Sequence, residues 1–166
     1  MTREHRYQVG LEWSGAAQGP TSSYSGYSRE FAIEIEGKPR LLGSADALFR
    51  GDRSRHNPED LLVAALAGCH MLSYLAECAR AGISVLAYTD LATGTMHFEG
   101  GGGRFVSVEL HPRVVVESGT NLTLARELHE KAHASCFIAR SVNFPVTNVP
   151  TILLPDPDEP PTAPEP

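Results

Sequence analysis

The stretch Asn57-Pro58-Glu59-Asp60-Leu61-Leu62-Val63-Ala64-Ala65-Leu66-Ala67-Gly68-Cys69-His70-Met71 decides how the rest of the chain is read. Asn57 is a good helix N-cap, and Pro58 suits the first helical position, where a missing N–H leaves nothing unpaired. Glu59 and Asp60 place acids at the positive end of the helix dipole. Residues 61–80 are apolar almost all round, and Gly82 is a suitable stop. A helix without a polar face is normally buried on every side. The stretch therefore predicts a central helix. One small sheet is too little to cover it, which points to a dimer burying the remaining side.

Before this helix, Tyr7, Val9, Leu11 and Trp13 alternate with Gln8, Gly10 and Glu12, the period of a half-buried strand. Residues 15–28, rich in Gly and Ser, read as a loop. In a second strand Phe31, Ile33 and Ile35 share one face and Glu30, Glu34 and Glu36 the other, and Gly37-Lys38-Pro39 returns the chain as a hairpin through Leu41 and Leu42. After the helix, strands are expected over residues 85–98 and 105–117, with the four glycines at 100–103 as the turn between them. No helix start or Gly-Lys-Ser/Thr follows these glycines, so a phosphate-cradling role is set aside. A second helix over residues 122–135 and a strand over 141–148 complete an α+β chain of antiparallel sheets rather than a parallel βαβ sheet. Residues 1–154 read as one domain. Residues 155–166, with six prolines, read as a disordered tail.

The chain has 166 residues, 42% of them apolar, and a net charge of −6. Four acids and no base fall in residues 155–166, which leaves the body close to neutral. Such a body offers no electrostatic footprint for nucleic acid or an anionic membrane. The most apolar run, residues 61–76, contains His70, Ser73 and Tyr74 and reads as too short and too polar for a membrane span. The N-terminus shows no apolar segment of the signal-peptide kind, and the three cysteines then point to a reducing, cytoplasmic setting.

Chemistry centres on the cysteines. Cys69 lies inside the apolar helix beside Gly68, and Cys136 lies at the end of the second helix. Cys78 is nine residues past Cys69, half a turn round, and reads as packing. A reactive Cys69 must be a thiolate, which apolar surroundings disfavour, so it needs a cation nearby. Arg29 shares the parity of Phe31, Ile33 and Ile35 and points inward; Glu59 could serve as its carboxylate partner. On a straight helix Glu59 lies about 15 Å from Cys69, too far to act on the sulfur directly. A rival motif is His129-Glu130-Lys131-Ala132-His133, which matches the H-E-x-x-H helix of zinc-dependent hydrolases. No histidine follows as third ligand, and Cys136 in that role would close the site against catalytic water. The plainer reading is two rim histidines beside Leu128 and Ala132. His70 points about 100° away from Cys69 and is not its base. Arg50-Gly51-Asp52 is taken as coincidence.

The segment from Asn57 to Met71 resembles the NPE(E/D)L…AAxxxC signature of the OsmC/Ohr family of thiol peroxidases, and Ala132-His133-Ala134-Ser135-Cys136, with Ser141-Val142 beyond, is similar to its AHxxC motif. The resemblance implies two intertwined subunits with central helices enclosed by sheets from both. It implies reduction of hydroperoxides, organic ones especially, with no haem, metal or flavin cofactor. Cys69 would be the peroxidatic cysteine, passing through sulfenic acid. Cys136 would be the resolving cysteine that condenses with it, the disulfide being reduced by an external dithiol of lipoyl or thioredoxin type. Glu59 would hold the activating arginine, either Arg29 or one of Arg50, Arg53 and Arg55. A redox-inert binding protein of the same fold is the bland alternative.

Overall fold

The computed structural model describes residues 4–156. Contacts group the chain into two compact units, one through Leu62 and one from Val63. In the first unit, β1 (Gly10–Glu12), β2 (Phe31–Glu34) and β3 (Leu41–Gly43) form an antiparallel sheet in that order. Leu11 pairs with Ile33, and Ile33 with Leu41. The expected hairpin is present, turning at Gly37 with φ 74°. β1 begins later than the alternation suggested. Tyr7, Val9 and Leu11 are exposed, so the apolar face of this segment finds no cover within its own unit.

From β3 the chain passes a short 3-10 turn, Ala47–Phe49, whose Leu48 N–H donates to Asp46 Oδ1 at 2.7 Å. Gly51 is obligatory here, because a Cβ would stand 1.5 Å from the Ala45 carbonyl oxygen. The long helix α1 (Pro58–Arg80) then starts where its cap signals place it. Asp60 N–H donates to Asn57 Oδ1 at 2.7 Å, and Asn57 N–H reaches back to Asp60 Oδ2 at 3.4 Å. It ends at Gly82 with φ 71°, where Ile83 N–H donates to Cys78 O at 2.9 Å and Gly82 N–H to Ala79 O at 3.3 Å. This double closure needs the left-handed residue that glycine supplies at least cost.

The second unit holds two sheets. β4 (Val85–Asp90), β7 (Pro112–Val116) and β9 (Thr151–Leu153) form one; β5 (Thr93–Glu99), β6 (Gly102–Leu110) and β8 (Val146–Asn148) form the other. Each joins an antiparallel pair to a third, parallel strand. The glycine run makes the β5–β6 hairpin, with Gly100 and Gly101 at φ 60° and 85° between the paired Glu99 and Gly102. Both positive angles suit the tight turn that right-twisted strands require. α2 (Leu122–Ser135) lies where expected, capped by Asn121 Oδ1. The strand expected over 141–148 is shorter, because a 3-10 turn takes Ala139–Ser141, and the parallel strand β9 was not anticipated. Parallel pairing to a distant strand leaves no local turn signal in the sequence. Of the tail, residues 157–166 lie outside the described residues.

The core of this unit gathers Tyr74, Cys78, Val114, Val116, Leu128 and Ala132. Cys78 is therefore packing, as its phase on the helix indicated. α1 differs from expectation: only Leu66, His70, Tyr74 and Cys78 are buried, one stripe at four-residue steps. Its other faces are half-buried or open, and Leu72 is 66% exposed. At 23 residues it is also longer than the 16-residue apolar run, and by length and composition it could cross a membrane. Its buried stripe instead carries an imidazole and a phenol, both hydrogen-bonded within the protein.

Candidate active site

Cys69 and Cys136 meet in the second unit. α1 presents Cys69 half-buried, whereas Cys136 is buried at the C-cap of α2, its N–H donating to His133 O at 3.2 Å. Both are free thiols, and they lie close enough for Cys69 to act on the Cys136 thiol. Burial pushes the Cys136 thiol up to about 11, the neighbouring Cys69 pushes the same way, and the N–H groups of Ala139 and Ile138 act against both. Cys136 is thus held neutral beside Cys69. A shielded neutral thiol beside a more open one suits a nucleophile and the partner that traps its oxidised form.

The histidines lie behind this pair. His70 Nε2 and His129 Nδ1 are 3.0 Å apart, and both rings are buried. Tyr74 stacks on His129 at 3.8 Å between centroids and donates its hydroxyl to Ala125 O at 3.1 Å. Burial lowers His70 to about 4 and His129 to about 3, helped by His133 in the first case and by His70 and Arg126 in the second. His129 is thus a core residue and not a rim one. The signal was available: Ala125, Leu128, His129 and Ala132 follow one helical stripe, and all four are buried. For a zinc site, His129 already spends Nδ1 on His70, and Glu130 is exposed. Among the described residues no three His, Cys, Asp or Glu side chains are grouped to hold a metal ion.

Arg29 and Glu59 belong to the first unit. The Arg29 guanidinium donates to the carbonyls of Tyr24 and Tyr27 and lies over the Tyr27 ring, 3.8 Å from its centroid. Among the described residues it is the one charged group lining a cavity of about 620 Å³ whose walls include Leu11, Trp13, Tyr27, Phe31 and Leu61. The inward direction read from strand parity holds. The expected contact with Glu59 is not formed, since the two carbonyls and the Tyr27 face already occupy the guanidinium. Glu59 Oε2 is buried with no hydrogen-bond partner. Of the other arginines, Arg55 pairs with Glu30 at 3.4 Å and Asp52 at 3.5 Å, Arg50 lies 5.8 Å from the Tyr24 centroid, and Arg53 is exposed. The tyrosine cradle of Arg29 was missed in the sequence, where Tyr24 and Tyr27 sit in an unpatterned loop.

Residues 51–149 match the family model of the OsmC-like proteins. An OsmC-like protein of unknown function from Vibrio cholerae is 30% identical and superposes with a TM-score of 0.80 over 89% of this chain and 100% of that one. An organic hydroperoxide resistance protein from Elizabethkingia anophelis is 20% identical, with a TM-score of 0.65 over 92% of this chain and 100% of that one. Another from Legionella pneumophila is 18% identical, with a TM-score of 0.63 over 90% and 99%. No curated protein matches this chain.

Proposed function

This chain belongs to the OsmC-like protein family, and on that premise we propose that it is a two-cysteine thiol peroxidase acting on organic hydroperoxides. The observation that carries this is the juxtaposition of the two free thiols at different burial, Cys69 half-buried and acting on the buried Cys136. The likeness to organic hydroperoxide resistance proteins supports it. In the proposed cycle the Cys69 thiolate attacks the O–O bond, taking the terminal OH as sulfenic acid while the alkoxide leaves and is protonated to the alcohol. Cys136 then condenses with the sulfenic acid, forming the disulfide and releasing water. An external dithiol, of lipoyl or thioredoxin type, returns both thiols. Arg29 is assigned the cation that sustains the Cys69 thiolate, and Glu59, with its unpartnered oxygen, the carboxylate that orients an arginine. The working form is a homodimer in which a second copy covers the open faces of α1, with sheets from both copies wrapped about the central helices. The setting is cytoplasmic, as the unpaired thiols suit.

The test is a count of free thiols before and after one equivalent of tert-butyl hydroperoxide. The wild type is expected to lose two thiols and to keep Cys78. Cys69→Ser should reduce hydroperoxide consumption to background, and Cys136→Ser should stop at a trappable sulfenic acid. Wild-type consumption by Cys69→Ser would overturn the reading.

A further inference from the structure

The proposed cycle leaves one buried polar feature of the second unit unused. His70 follows Cys69 on α1, and His129 lies two turns before Cys136 on α2. Between these antiparallel helices the side-chain bonds form two rungs, Tyr74 hydroxyl to Ala125 O at 3.1 Å and His70 to His129 at 3.0 Å, and Cys136 lies near Cys69 without such a bond. A four-residue step from Tyr74 to His70 matches a four-residue step from Ala125 to His129. The imidazole rung therefore begins at the residue after Cys69 on α1 and two turns before Cys136 on α2.

Around these bonds Tyr74 and Cys78 of α1 and Leu128 and Ala132 of α2 belong to one buried apolar cluster, and His133 of α2 is close enough to act on His70. Apolar burial is non-directional and tolerates a small slide of one helix on the other. A hydrogen bond does not, because it weakens steeply outside a narrow range of distance and angle. Inside a dry interface, an unmade bond also leaves two imidazole nitrogens without water to replace it. His70 Nδ1 and His129 Nε2 already lack partners, so their mutual bond is the one that ties these two rings together.

We propose that the His70–His129 hydrogen bond pins the register of α1 against α2 and thereby keeps Cys136 within condensing distance of Cys69. Both histidines are positioning residues for the disulfide-forming step. The inference rests on the peroxidase reading. At neutral pH both rings are uncharged, so one ring N–H donates and the other ring nitrogen accepts.

The pinned step competes with over-oxidation. A Cys69 sulfenic acid either condenses with the Cys136 thiol, releasing water, or takes an oxygen from a second hydroperoxide, giving a sulfinic acid and an alcohol. The experiment doses wild type, His129→Leu, His129→Asn and the double variant His70→Leu/His129→Leu with excess tert-butyl hydroperoxide. Intact mass gives the disulfide-to-sulfinic ratio, and thermal melting gives stability. Disulfide formation is expected to slow by about tenfold in His129→Leu and in the double variant, the scale expected of a sub-ångström misplacement. The first oxidation of Cys69 should keep its rate. His129→Asn, whose side-chain amide stands in for Nδ1, should restore the ratio. The double variant leaves neither histidine nitrogen behind and is expected to keep its stability, so a changed ratio there cannot come from unfolding. A wild-type ratio in the double variant overturns the proposal. A wild type that forms neither disulfide nor sulfinic acid sinks the peroxidase reading and this proposal together.

Discussion

The two units differ in how completely each closes on itself. The second buries Tyr74, Val114, Val116, Leu128 and Ala132 around α1 and α2 and holds both cysteines of the thiol pair. The first builds its sheet from strands of three and four residues, leaves Leu11 72% exposed, and lines a cavity of about 620 Å³ with apolar side chains. Short strands with an uncovered apolar face do not hold together alone. The contrast separates two parts of the proposed chemistry. The proposed sulfur-to-sulfur condensation falls in the unit with the larger buried core. The arginine sits where packing calls for further cover.

Three measurements would break or sharpen that contrast. The largest expected effect is on Arg29. Arg29→Ala should slow both alkylation of Cys69 and hydroperoxide consumption about 10²-fold, the scale seen when one preorganised electrostatic partner is removed. Glu59→Ala should cause a milder defect, and because Glu59 and Arg29 share no contact, the double variant should show the two losses added. An unchanged Arg29→Ala with a slowed Arg50→Ala, Arg53→Ala or Arg55→Ala would move the role along the chain.

Next comes assembly. The proposed dimer should scatter light as about twice 17.9 kDa. Leu72→Glu, on the open face of α1, should shift it to single chains, since an unpaired carboxylate is costly in an apolar interface. A Leu72→Glu dimer beside a monomeric Leu11→Glu would transfer the contact from α1 to β1.

The smallest effect is on stability against pH. His70 and His129 are lowered from 6.5 to about 4 and about 3, so the unfolded chain binds protons that the native one refuses. Their contribution is therefore present above pH 6.5 and is lost as pH falls toward 4 and 3. The melting temperature should drop through that window, and His70→Leu/His129→Leu should flatten the drop by a few degrees. Cys136, raised to about 11, acts at the other end: its share is lost as pH rises from 9 to 11. An acid limb identical in the double variant would assign the drop to other groups.

Much of this molecule was legible in the chain. α1 starts at Pro58 and ends before Gly82 because the cap residues act locally, and α2 covers Leu122–Ser135 for the same reason. The hairpin at Gly100 and Gly101 follows from backbone angles open mainly to glycine. Spacing along a helix likewise separated Cys78 from Cys69. What depends on a distant partner was harder to read. β9 pairs in parallel with β7 across α2, and nothing near Thr151–Leu153 announces it. Arg29 was correctly turned inward by strand parity, yet its partners are two loop carbonyls and a tyrosine ring, not Glu59.

By itself the sequence determined the helix limits, the α+β order, the two cysteine motifs and the idle phase of Cys78, because caps, turns and periodicity are properties of neighbouring residues. Tertiary structure alone decided that a buried Cys136 lies beside the more open Cys69, that His129 is in the core bonded to His70, and that α1 buries one stripe rather than its whole surface. Each of these depends on which helix faces which. That is a choice made by packing between residues some sixty positions apart, and no local propensity encodes it.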